Sequence, residues 1–283
     1  MKLKQLLEGI SYEVQQGNAE LEISDIQYDS RKVEKDSLFV CITGFQTDGH
    51  KYIPMAVEKG AAAILCEHEV ENVPADVTVI VTENNRKALA VVSANLYGHP
   101  SREMHAIGVT GTNGKTSTTY LMKSILDRVG GKVGIVGTIE NRIGDKILKA
   151  ERTTPESKEL QALFRQMKEE DVTDVVMEVS SHSLDLHRVD GIAFDVAIFT
   201  NLTQDHLDYH ITMENYKAAK GMLFERAAKS VINMDDAAGA YMKEKSVGEV
   251  LTIGVDTQAD LMAENIDITA EGTAFDMVWK GQK

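Results

Sequence analysis

The sequence has 283 residues, of which 43% are hydrophobic, and it carries a formal net charge of −14. A chain of this length can bury a sizeable core and predicts about two domains. Because the acidic balance disfavours nonspecific binding to nucleic acid or to an anionic membrane, we expect neither partner, although a locally basic site can still bind an anionic small molecule.

The N-terminal segment has neither the apolar core nor the small-residue cleavage site of a secretory signal. No stretch approaches the roughly 18 apolar residues of a membrane helix. The two cysteines, Cys41 and Cys66, lie in apolar runs and are interpreted as buried hydrophobic side chains. These features predict a cytoplasmic protein without a disulfide framework or a zinc site, and we expect a monomer.

Apolar runs of strand length alternate with amphipathic helical patterns, which is typical of an α/β protein. The last helix of the first part stops at Gly98-His99-Pro100, and Gly after a helix end followed by Pro is a strong stop signal. We therefore predict one domain over residues 1–98 and a second over 99–283. In the first domain the patterns predict helices over 3–7, 52–59 and 86–97 and strands over 23–28, 37–42, 62–66 and 77–81.

The second domain continues the alternation and ends differently. A hairpin is predicted around Glu271-Gly272, with strands over 263–268 and 274–279. Because the sequence ends at Lys283, shortly after this hairpin, we expect it to be a fragment of a longer protein. The preceding patterns predict strands over 105–110, 132–137, 174–179, 194–200 and 230–234 and helices over 115–129, 157–169 and 213–228.

The segment TGTNGKTS, residues 110–117, lies between a predicted strand and a predicted helix, as a phosphate-binding loop requires. Its glycines permit a backbone that turns several N–H groups inward, and the helix N-terminus adds positive potential. Lys115 would reach the terminal phosphates of a nucleotide, and the Thr116 hydroxyl would hold Mg²⁺. Val109 replaces a glycine of the usual pattern, so the loop is the shorter G-x-x-G-K-T. The alternative interpretation is a turn that only caps the helix.

Polar clusters follow two further strand patterns, at residues 178–182 (EVSSH) and 200–210 (TNLTQDHLDYH). In an open parallel sheet, ligands bind beyond the carboxyl ends of the strands, so both clusters should lie at the same edge as the phosphate loop. Glu178 and His206 could share a second Mg²⁺ there, although Mg²⁺ prefers oxygen ligands. The alternative for His206 is an ordinary surface or hydrogen-bonded loop residue.

Two other features have ordinary interpretations when only their spacing is considered. Lys220 lies on a predicted helix and would be a solvated lysine. Thr153-Thr154-Pro155-Glu156 has the composition of a helix start, and its threonines would be caps rather than ligand contacts.

Several motifs together resemble the Mur ligases. GTNGKT alone also occurs in folylpolyglutamate synthases, but its combination with EVSSHSL and DHLDYH is far more specific. Within the family, the set resembles the enzymes that add the third amino acid to UDP-MurNAc-L-Ala-D-Glu. The motifs cover nearly the whole chain: DSR (29–31), LFVCITGFQTDGH (38–50), GTNGKT (111–116), TTPE (153–156), EVSSHSLDLHRV (178–189), TNLTQDHLDYH (200–210) and YKAAKGMLF (216–224).

The resemblance implies an N-terminal α/β domain that binds the UDP moiety and a central P-loop-type domain, with a mostly parallel sheet flanked by helices, that binds ATP. A C-terminal Rossmann-like domain, which would bind the incoming amino acid, is absent from this sequence. The implied activity is ATP-dependent amide ligation through an acyl phosphate, in peptidoglycan synthesis. The third amino acid would be meso-diaminopimelate or L-lysine.

The resemblance also implies roles for individual residues. The catalytic set would be Lys115, Glu178, His206 and Lys220. Mg²⁺ would be held by Thr116, Glu178, His206 and Lys220, with Lys220 carbamylated, a role that replaces its ordinary interpretation. ATP would be bound by Gly111, Thr112, Asn113, Gly114, Lys115, Thr116 and Ser117, with Asn201 and Asp205 near the base or ribose. The UDP part would contact Ser30, Phe45, Gln46 and Thr47, and the muramoyl-peptide would contact Thr153, Thr154, Ser180 and Arg188.

Alternatives remain open at this point. Leu186 stands where some relatives have Gln, so one peptide contact is in doubt. A folylpolyglutamate synthase would share the phosphate loop but not the DSR-containing N-terminal domain. A non-catalytic nucleotide-binding module would need only the loop, and the acidic and histidine clusters disfavour it.

Overall fold

The computed structural model describes residues 1–44 and 47–282. The chain divides into two compact units, and each contains segments that are distant in sequence. Unit 1 is formed by Met1–Pro100, Pro155–Arg165 and Leu186–Ile192. Unit 2 is formed by Ser101–Thr154, Gln166–Asp185 and the chain from Ala193 onward.

Unit 1 contains a five-stranded sheet in the order β1-β5-β4-β3-β2. The pairs between β2 and β5 are parallel, and β1 pairs antiparallel with β5 at the edge. Short 3-10 turns cover Ser30–Lys32 and Gly49–Tyr52. The elements are α1 (Leu3–Leu6), β1 (Glu13–Gln16), β2 (Ile26–Gln27), β3 (Ser37–Val40), α2 (Ile53–Glu58), β4 (Ala61–Cys66), β5 (Thr78–Val81) and α3 (Asn85–Tyr97).

The central strands of unit 1 are near-continuous apolar runs because side chains on both faces of the sheet are buried. Leu38, Leu65 and Ile80 pack on one face, and Phe39, Ile64 and Val79 on the other. Both cysteines are fully buried, as predicted, and burial raises the pKa of each thiol. Helix α3 ends at Tyr97, and Gly98, with φ 73°, forms its C-cap, in agreement with the predicted stop.

Unit 2 is built on a ten-stranded sheet in the order β15-β14-β13-β12-β11-β6-β10-β7-β8-β9. The helix over residues 157–169 begins in the part of the chain assigned to unit 1 and ends in the part assigned to unit 2. The elements are β6 (His105–Thr110), α4 (Lys115–Arg128), β7 (Val133–Val136), β8 (Glu140–Ile143), β9 (Lys146–Lys149), α5 (Ser157–Glu169), β10 (Asp174–Glu178), α6 (Ser181–Asp185), β11 (Phe194–Phe199), α7 (Leu207–His210), α8 (Met213–Gly221), β12 (Ala227–Asn233), α9 (Gly239–Lys245), β13 (Glu249–Gly254), β14 (Leu261–Thr269) and β15 (Gly272–Trp279).

The seven neighbouring strands between β14 and β7 in this order run parallel. Antiparallel strands lie at both edges, β15 at one and β8 and β9 at the other. This arrangement confirms the predicted mostly parallel α/β sheet. The register pairs Glu178 with Val109 and Phe199 with Thr110. The carboxyl ends of β6, β10 and β11 therefore meet at one edge, which is the condition for a shared site.

The predicted helix over 213–228 is wrong in its second half. Helix α8 ends at Gly221, and β12 begins at Ala227, earlier than the strand predicted from residue 230. Leu223 and Phe224 turn into the core, so the chain leaves the helix there. Ala227 then pairs with Phe194 of β11. Alanine favours helices intrinsically, but this strand pairing overrides its propensity.

Several short elements were not predicted. Strand β1 has the polar sequence EVQQ, and neither β8 nor β9 contains a long apolar run. Their strand conformation comes from pairing with a neighbour rather than from their own pattern. In residues 1–44 and 47–282, no helix is both long enough and apolar enough to cross a bilayer.

Candidate functional site

The loop after β6 has a backbone shape that only glycine permits at two positions. Gly111 has φ 151°, and a Cβ built there would lie 1.9 Å from the Thr200 hydroxyl. Gly114 has φ 85° and forms the N-cap of α4. The strand, the tight loop and the helix N-terminus thus form the arrangement predicted from residues 110–117.

The chain segment after β11 braces this loop. The Thr200 hydroxyl donates to the Asn113 carbonyl over 2.7 Å. The Asn201 carbonyl accepts from the Thr112 N–H over 2.9 Å, and the Asn201 side-chain oxygen accepts from the Asn113 N–H over 2.9 Å. Asn201 was predicted near the base or ribose of a nucleotide, and the structure places its side chain against the loop backbone.

Lys115 lies at the start of α4 with its ammonium turned toward the loop. The Nζ atom donates to the carbonyls of Gly111 and Thr112, each over 2.9 Å. Burial lowers the pKa of Lys115, and the charges of Glu178 and Asp205 act in the opposite direction. The side chain is therefore a partly desolvated cation within reach of the loop.

Glu178, at the end of β10, is held by donors from two other elements. Its side chain is among the buried polar groups of the chain. The Thr116 hydroxyl of α4 and the Thr138 backbone N–H each donate to Oε1 over 2.9 Å. The Thr138 hydroxyl lies 3.1 Å from Oε2. Sequence reasoning missed Thr138, although it follows β7 and satisfies the same strand-end rule that identified Glu178.

These side chains open into one cavity of about 270 Å³. The cavity brings together most of the predicted nucleotide and metal residues with two residues predicted to contact the peptide. Gly111, Asn201, Asp205, Lys220 and Thr154 are not among its lining residues. The lining residues are Thr112, Asn113, Gly114, Lys115, Thr116, Ser117, Thr138, Thr153, Glu178, Ser180 and His206.

The oxygen donors of this cavity fit Mg²⁺. Thr116 Oγ1 and Glu178 Oε1 lie 2.9 Å apart, and hydroxyl and carboxylate oxygens are ligands that Mg²⁺ prefers. Among the described residues, no group of three or more His, Cys, Asp or Glu side chains is arranged to hold a metal ion. Thr116 and Glu178 would thus supply part of the ligand set of a Mg²⁺ ion here, and water and nucleotide phosphates commonly supply others.

His206 and Asp205 lie on the segment between β11 and α7. His206 has φ 51°, in the left-handed region, and its ring contacts the His182 ring with centroids 4.8 Å apart. Asp205 accepts from the His206 N–H over 2.8 Å. The His206 side chain lines the cavity and is half-exposed, and its Nε2 lies 3.5 Å from Asp205 Oδ2.

Lys220 on α8 is only 1% exposed, contrary to its ordinary interpretation as a solvated helix lysine. Its Nζ donates to the Gly111 carbonyl over 2.9 Å and lies 4.5 Å from the centre of the Tyr216 ring. Burial, followed by the neighbouring charge of Lys115, lowers the pKa of Lys220 to about 7, while Asp205 opposes the shift. An amine with a substantial neutral fraction near pH 7 therefore lies directly behind the loop.

Three predicted peptide contacts lie beside Glu178 in unit 2. Thr153 Oγ1 lies 3.1 Å from Thr138 Oγ1. The buried Thr154 hydroxyl donates to the Glu178 carbonyl over 2.9 Å and lies 3.3 Å from the Ser180 N–H, which donates to it. Thr154 thus braces the end of β10, while Thr153 and Ser180 face the cavity.

The other predicted substrate residues belong to unit 1. Ser30 is buried in a 3-10 turn, with its hydroxyl 3.3 Å from the Met55 sulfur. Thr47 Oγ1 lies 3.1 Å from the Tyr52 hydroxyl. Arg188 forms an ion pair with Glu156 over 2.8 Å. Phe45 and Gln46 lie outside the described residues.

Family comparisons match both parts of the chain. The family described as "Mur ligase middle domain" matches residues 109–283, and the family described as "Mur ligase family, catalytic domain" matches residues 22–97. The first match alone covers more than half of the chain, and it includes the phosphate loop and the cavity described above.

Curated relatives and solved structures agree with these matches. The chain is 50% identical over 285 residues to a "UDP-N-acetylmuramoyl-L-alanyl-D-glutamate--2,6-diaminopimelate ligase" of Clostridium botulinum, covering 100% of this chain and 59% of the relative. A relative of the same name from Bacillus velezensis is 46% identical, with 100% and 59% covered. The chain therefore spans about three-fifths of the length of these curated relatives.

A solved structure of a ligase with the same name is 26% identical and superposes with a TM-score of 0.85, covering 100% of this chain and 58% of that one. MurF from Acinetobacter baumannii is 19% identical with a TM-score of 0.64, covering 98% and 60%, and shows a shared fold.

Proposed function

The chain belongs to the Mur ligase family, and from this premise we propose that it forms the precursor-binding and ATP-binding parts of a ligase that joins diaminopimelate to UDP-MurNAc-L-Ala-D-Glu. The observation that carries the proposal is the cavity in which Lys115, Thr116 and Glu178 meet beside the phosphate loop. The names of the Clostridium and Bacillus relatives favour diaminopimelate over L-lysine. The protein would act as a cytoplasmic monomer in peptidoglycan synthesis.

The first chemical step would activate the terminal carboxylate of the precursor. A carboxylate does not release an oxide leaving group, so its oxygen attacks the γ-phosphorus of ATP and forms an acyl phosphate while ADP leaves. Negative charge gathers on the transferred phosphoryl group, and donors aimed at that charge stabilise the transition state. Lys115 would supply such a donor by exchanging the carbonyls of Gly111 and Thr112 for phosphate oxygens.

In the second step, the amine of diaminopimelate attacks the acyl carbon, and phosphate leaves from the tetrahedral intermediate. Thr116, Glu178, His206 and carbamylated Lys220 would hold Mg²⁺, which supplies charge neutralisation at the phosphates. Thr153, Ser180 and Arg188 would orient the muramoyl-peptide. Ser30 and the segment 45–47 would bind the UDP moiety. No side chain of the chain needs to act as a nucleophile.

Carbamylation of Lys220 is supported by the environment of its amine. CO₂ reacts only with a neutral amine, which forms a new N–C bond and releases one proton. The lowered pKa of Lys220, about 7, keeps a large neutral fraction near pH 7, whereas an ordinary lysine has almost none. The product is an anion that offers oxygen ligands to Mg²⁺ where the unmodified ammonium would repel it.

We expect carbamylation to increase as the pH rises through about 7, since protonated Lys220 does not attack CO₂. The measurement is carbon-13 NMR of the chain in labelled bicarbonate between roughly pH 6 and pH 8. A carbamate signal should be present at the upper pH, weaken at the lower pH and be missing in Lys220→Ala. Lys217→Ala, on the same helix, should keep the signal. A signal that is unchanged in Lys220→Ala would contradict the assignment.

The proposed function is tested by ligand binding to the chain itself. Calorimetry should detect binding of a non-hydrolysable ATP analogue with Mg²⁺ and binding of UDP-MurNAc-L-Ala-D-Glu. Dihydrofolate is tested separately as the ligand of the alternative function, because a folylpolyglutamate synthase would bind a folate instead. Binding of the folate and not of the UDP-linked precursor would overturn the proposal, and the absence of Mg²⁺-dependent nucleotide binding would also overturn it.

A further inference from the structure

Thr138 occupies a position that none of the predicted roles explains. It follows β7 at the sequence Gly137-Thr138, and its backbone passes close to the Glu178 carboxylate. A Cβ built on Gly137 would lie 2.7 Å from Glu178 Oε1, so a larger residue before Thr138 would displace this carboxylate. The close approach lets Thr138 present both its N–H and its hydroxyl to the same carboxylate.

The two donors of Thr138 fix the orientation of Glu178. The N–H reaches Oε1 over 2.9 Å, and the hydroxyl reaches Oε2 over 3.1 Å. Thr116 donates to Oε1 as well, from the helix that follows the phosphate loop. Because Thr138 is the donor that reaches the second oxygen, it sets the rotation of the carboxylate plane relative to Thr116.

The hydroxyl of Thr138 also reaches toward the predicted peptide contacts. Thr138 Oγ1 lies 3.1 Å from Thr153 Oγ1, and both side chains line the cavity. A hydroxyl has one proton, and an ionised carboxylate can only accept. The geometry makes the Thr138 hydroxyl a donor toward both Thr153 Oγ1 and Glu178 Oε2, so with one proton it can donate to only one of them at a time. Thr153 and Glu178 therefore compete for the proton of the Thr138 hydroxyl.

We propose that Thr138 is a positioning residue that couples binding of the UDP-linked peptide at Thr153 to binding of Mg²⁺–nucleotide at Glu178. The proposal rests on the proposed function. A substrate that engages Thr153 changes the partner of the Thr138 hydroxyl and thereby the hold on Glu178. Since coupling between two binding sites is reciprocal, each ligand should change the affinity for the other by the same factor.

The test uses the 283-residue chain and calorimetry with a non-hydrolysable ATP analogue. Affinity is measured with Mg²⁺ and with EDTA, in the presence and absence of UDP-MurNAc-L-Ala-D-Glu. Thr138→Val should weaken Mg²⁺-dependent nucleotide binding by roughly tenfold, as expected for losing a hydrogen bond to an ionised group. It should also bring the affinity ratio with and without the precursor close to one. Binding in EDTA should not change.

Three further variants make the test specific. Thr138→Ser keeps the hydroxyl and should restore both the affinity and the coupling. Thr153→Val should weaken precursor binding and bring the affinity ratio with and without the precursor close to one, and it provides the test if Thr138→Val unfolds. Thr273→Val, on the exposed face of β15, is the matched control and should behave like the wild type.

The outcomes separate this inference from the function on which it rests. If the wild-type chain binds neither Mg²⁺–nucleotide nor the precursor, both the proposed function and this inference are contradicted. Wild-type chain that binds both ligands without mutual enhancement or weakening would overturn the coupling alone. Equal coupling in the wild type and in folded Thr138→Val would overturn it as well.

Discussion

Replacement of Lys115 by alanine is expected to lower the rate of ligation roughly 10²–10³-fold, the loss typical of removing one preorganised donor from a transition state. The rate would be measured in a chain extended to the length of the curated relatives, with ATP, Mg²⁺, UDP-MurNAc-L-Ala-D-Glu and diaminopimelate. The loss should appear in kcat, because the charge of Lys115 would act mainly on the phosphoryl group as it is transferred.

The fold should survive this substitution. Lys115 is partly desolvated, and its lowered pKa indicates that the folded protein disfavours its charged form. Removing the ammonium leaves the carbonyls of Gly111 and Thr112 without these two bonds, but it also removes a cation close to Lys220. Thermal unfolding should therefore change little. Lys243→Ala, an exposed lysine on α9, is the matched control and should retain the wild-type rate. Near-normal turnover by folded Lys115→Ala would show that the loop does not bind the reacting phosphates.

The elements that sequence reasoning located best are those with strong signals at both ends. Strand β6 and helix α5 have the predicted bounds, and α4 differs from its prediction by one residue. For α4, Gly114 sets the start and Gly130-Gly131 follow the end. Strands β1, β8 and β9 carry no such signals, because their conformation depends on neighbours that are distant in sequence or on a tight hairpin.

The candidate site also contains residues that sequence reasoning located and residues that it could not locate. The strand-end rule brought Lys115, Thr116 and Glu178 together correctly, because parallel strands in register align their carboxyl ends. The burial of Lys220 could not be derived from its helical spacing, since it depends on how α8 packs against the loop and the core. Only the resemblance to a family gave Lys220 a role. Thr138 was missed although the strand over 132–137 was predicted, because a single threonine does not form a polar cluster like those at 178–182 and 200–210.

The structure also shows why neighbouring polar residues of one motif differ in what they can do. Thr153 and Thr154 are adjacent, but Thr154 is fully occupied in bracing the Glu178 backbone, whereas Thr153 lines the cavity. Asn201 is likewise engaged with the loop backbone through its side-chain oxygen. A motif therefore marks a site, and the hydrogen-bond partners decide which members support the site and which face a ligand.

The 283-residue chain by itself is expected to bind Mg²⁺–nucleotide and UDP-MurNAc-L-Ala-D-Glu and to form no measurable tripeptide. It spans about three-fifths of its curated relatives, and the family resemblance assigns the incoming amino acid to a third domain beyond this span. Holding an amine next to an acyl phosphate replaces a bimolecular encounter, an advantage of about 7–11 kcal/mol. The same domain would cover the cavity and exclude water, which otherwise hydrolyses the acyl phosphate.

The measurement is an assay of the purified chain with ATP, Mg²⁺, the UDP-linked dipeptide and either diaminopimelate or L-lysine, beside a chain extended to the length of the relatives. The extended chain should form tripeptide with diaminopimelate, and the 283-residue chain should at most release phosphate slowly as water consumes the acyl phosphate. Addition of hydroxylamine should then trap that intermediate as a hydroxamate, which would show that activation and amine delivery reside in different parts of the protein. Tripeptide formation by the 283-residue chain at a rate near that of the extended chain would show that the amine is held within these two units.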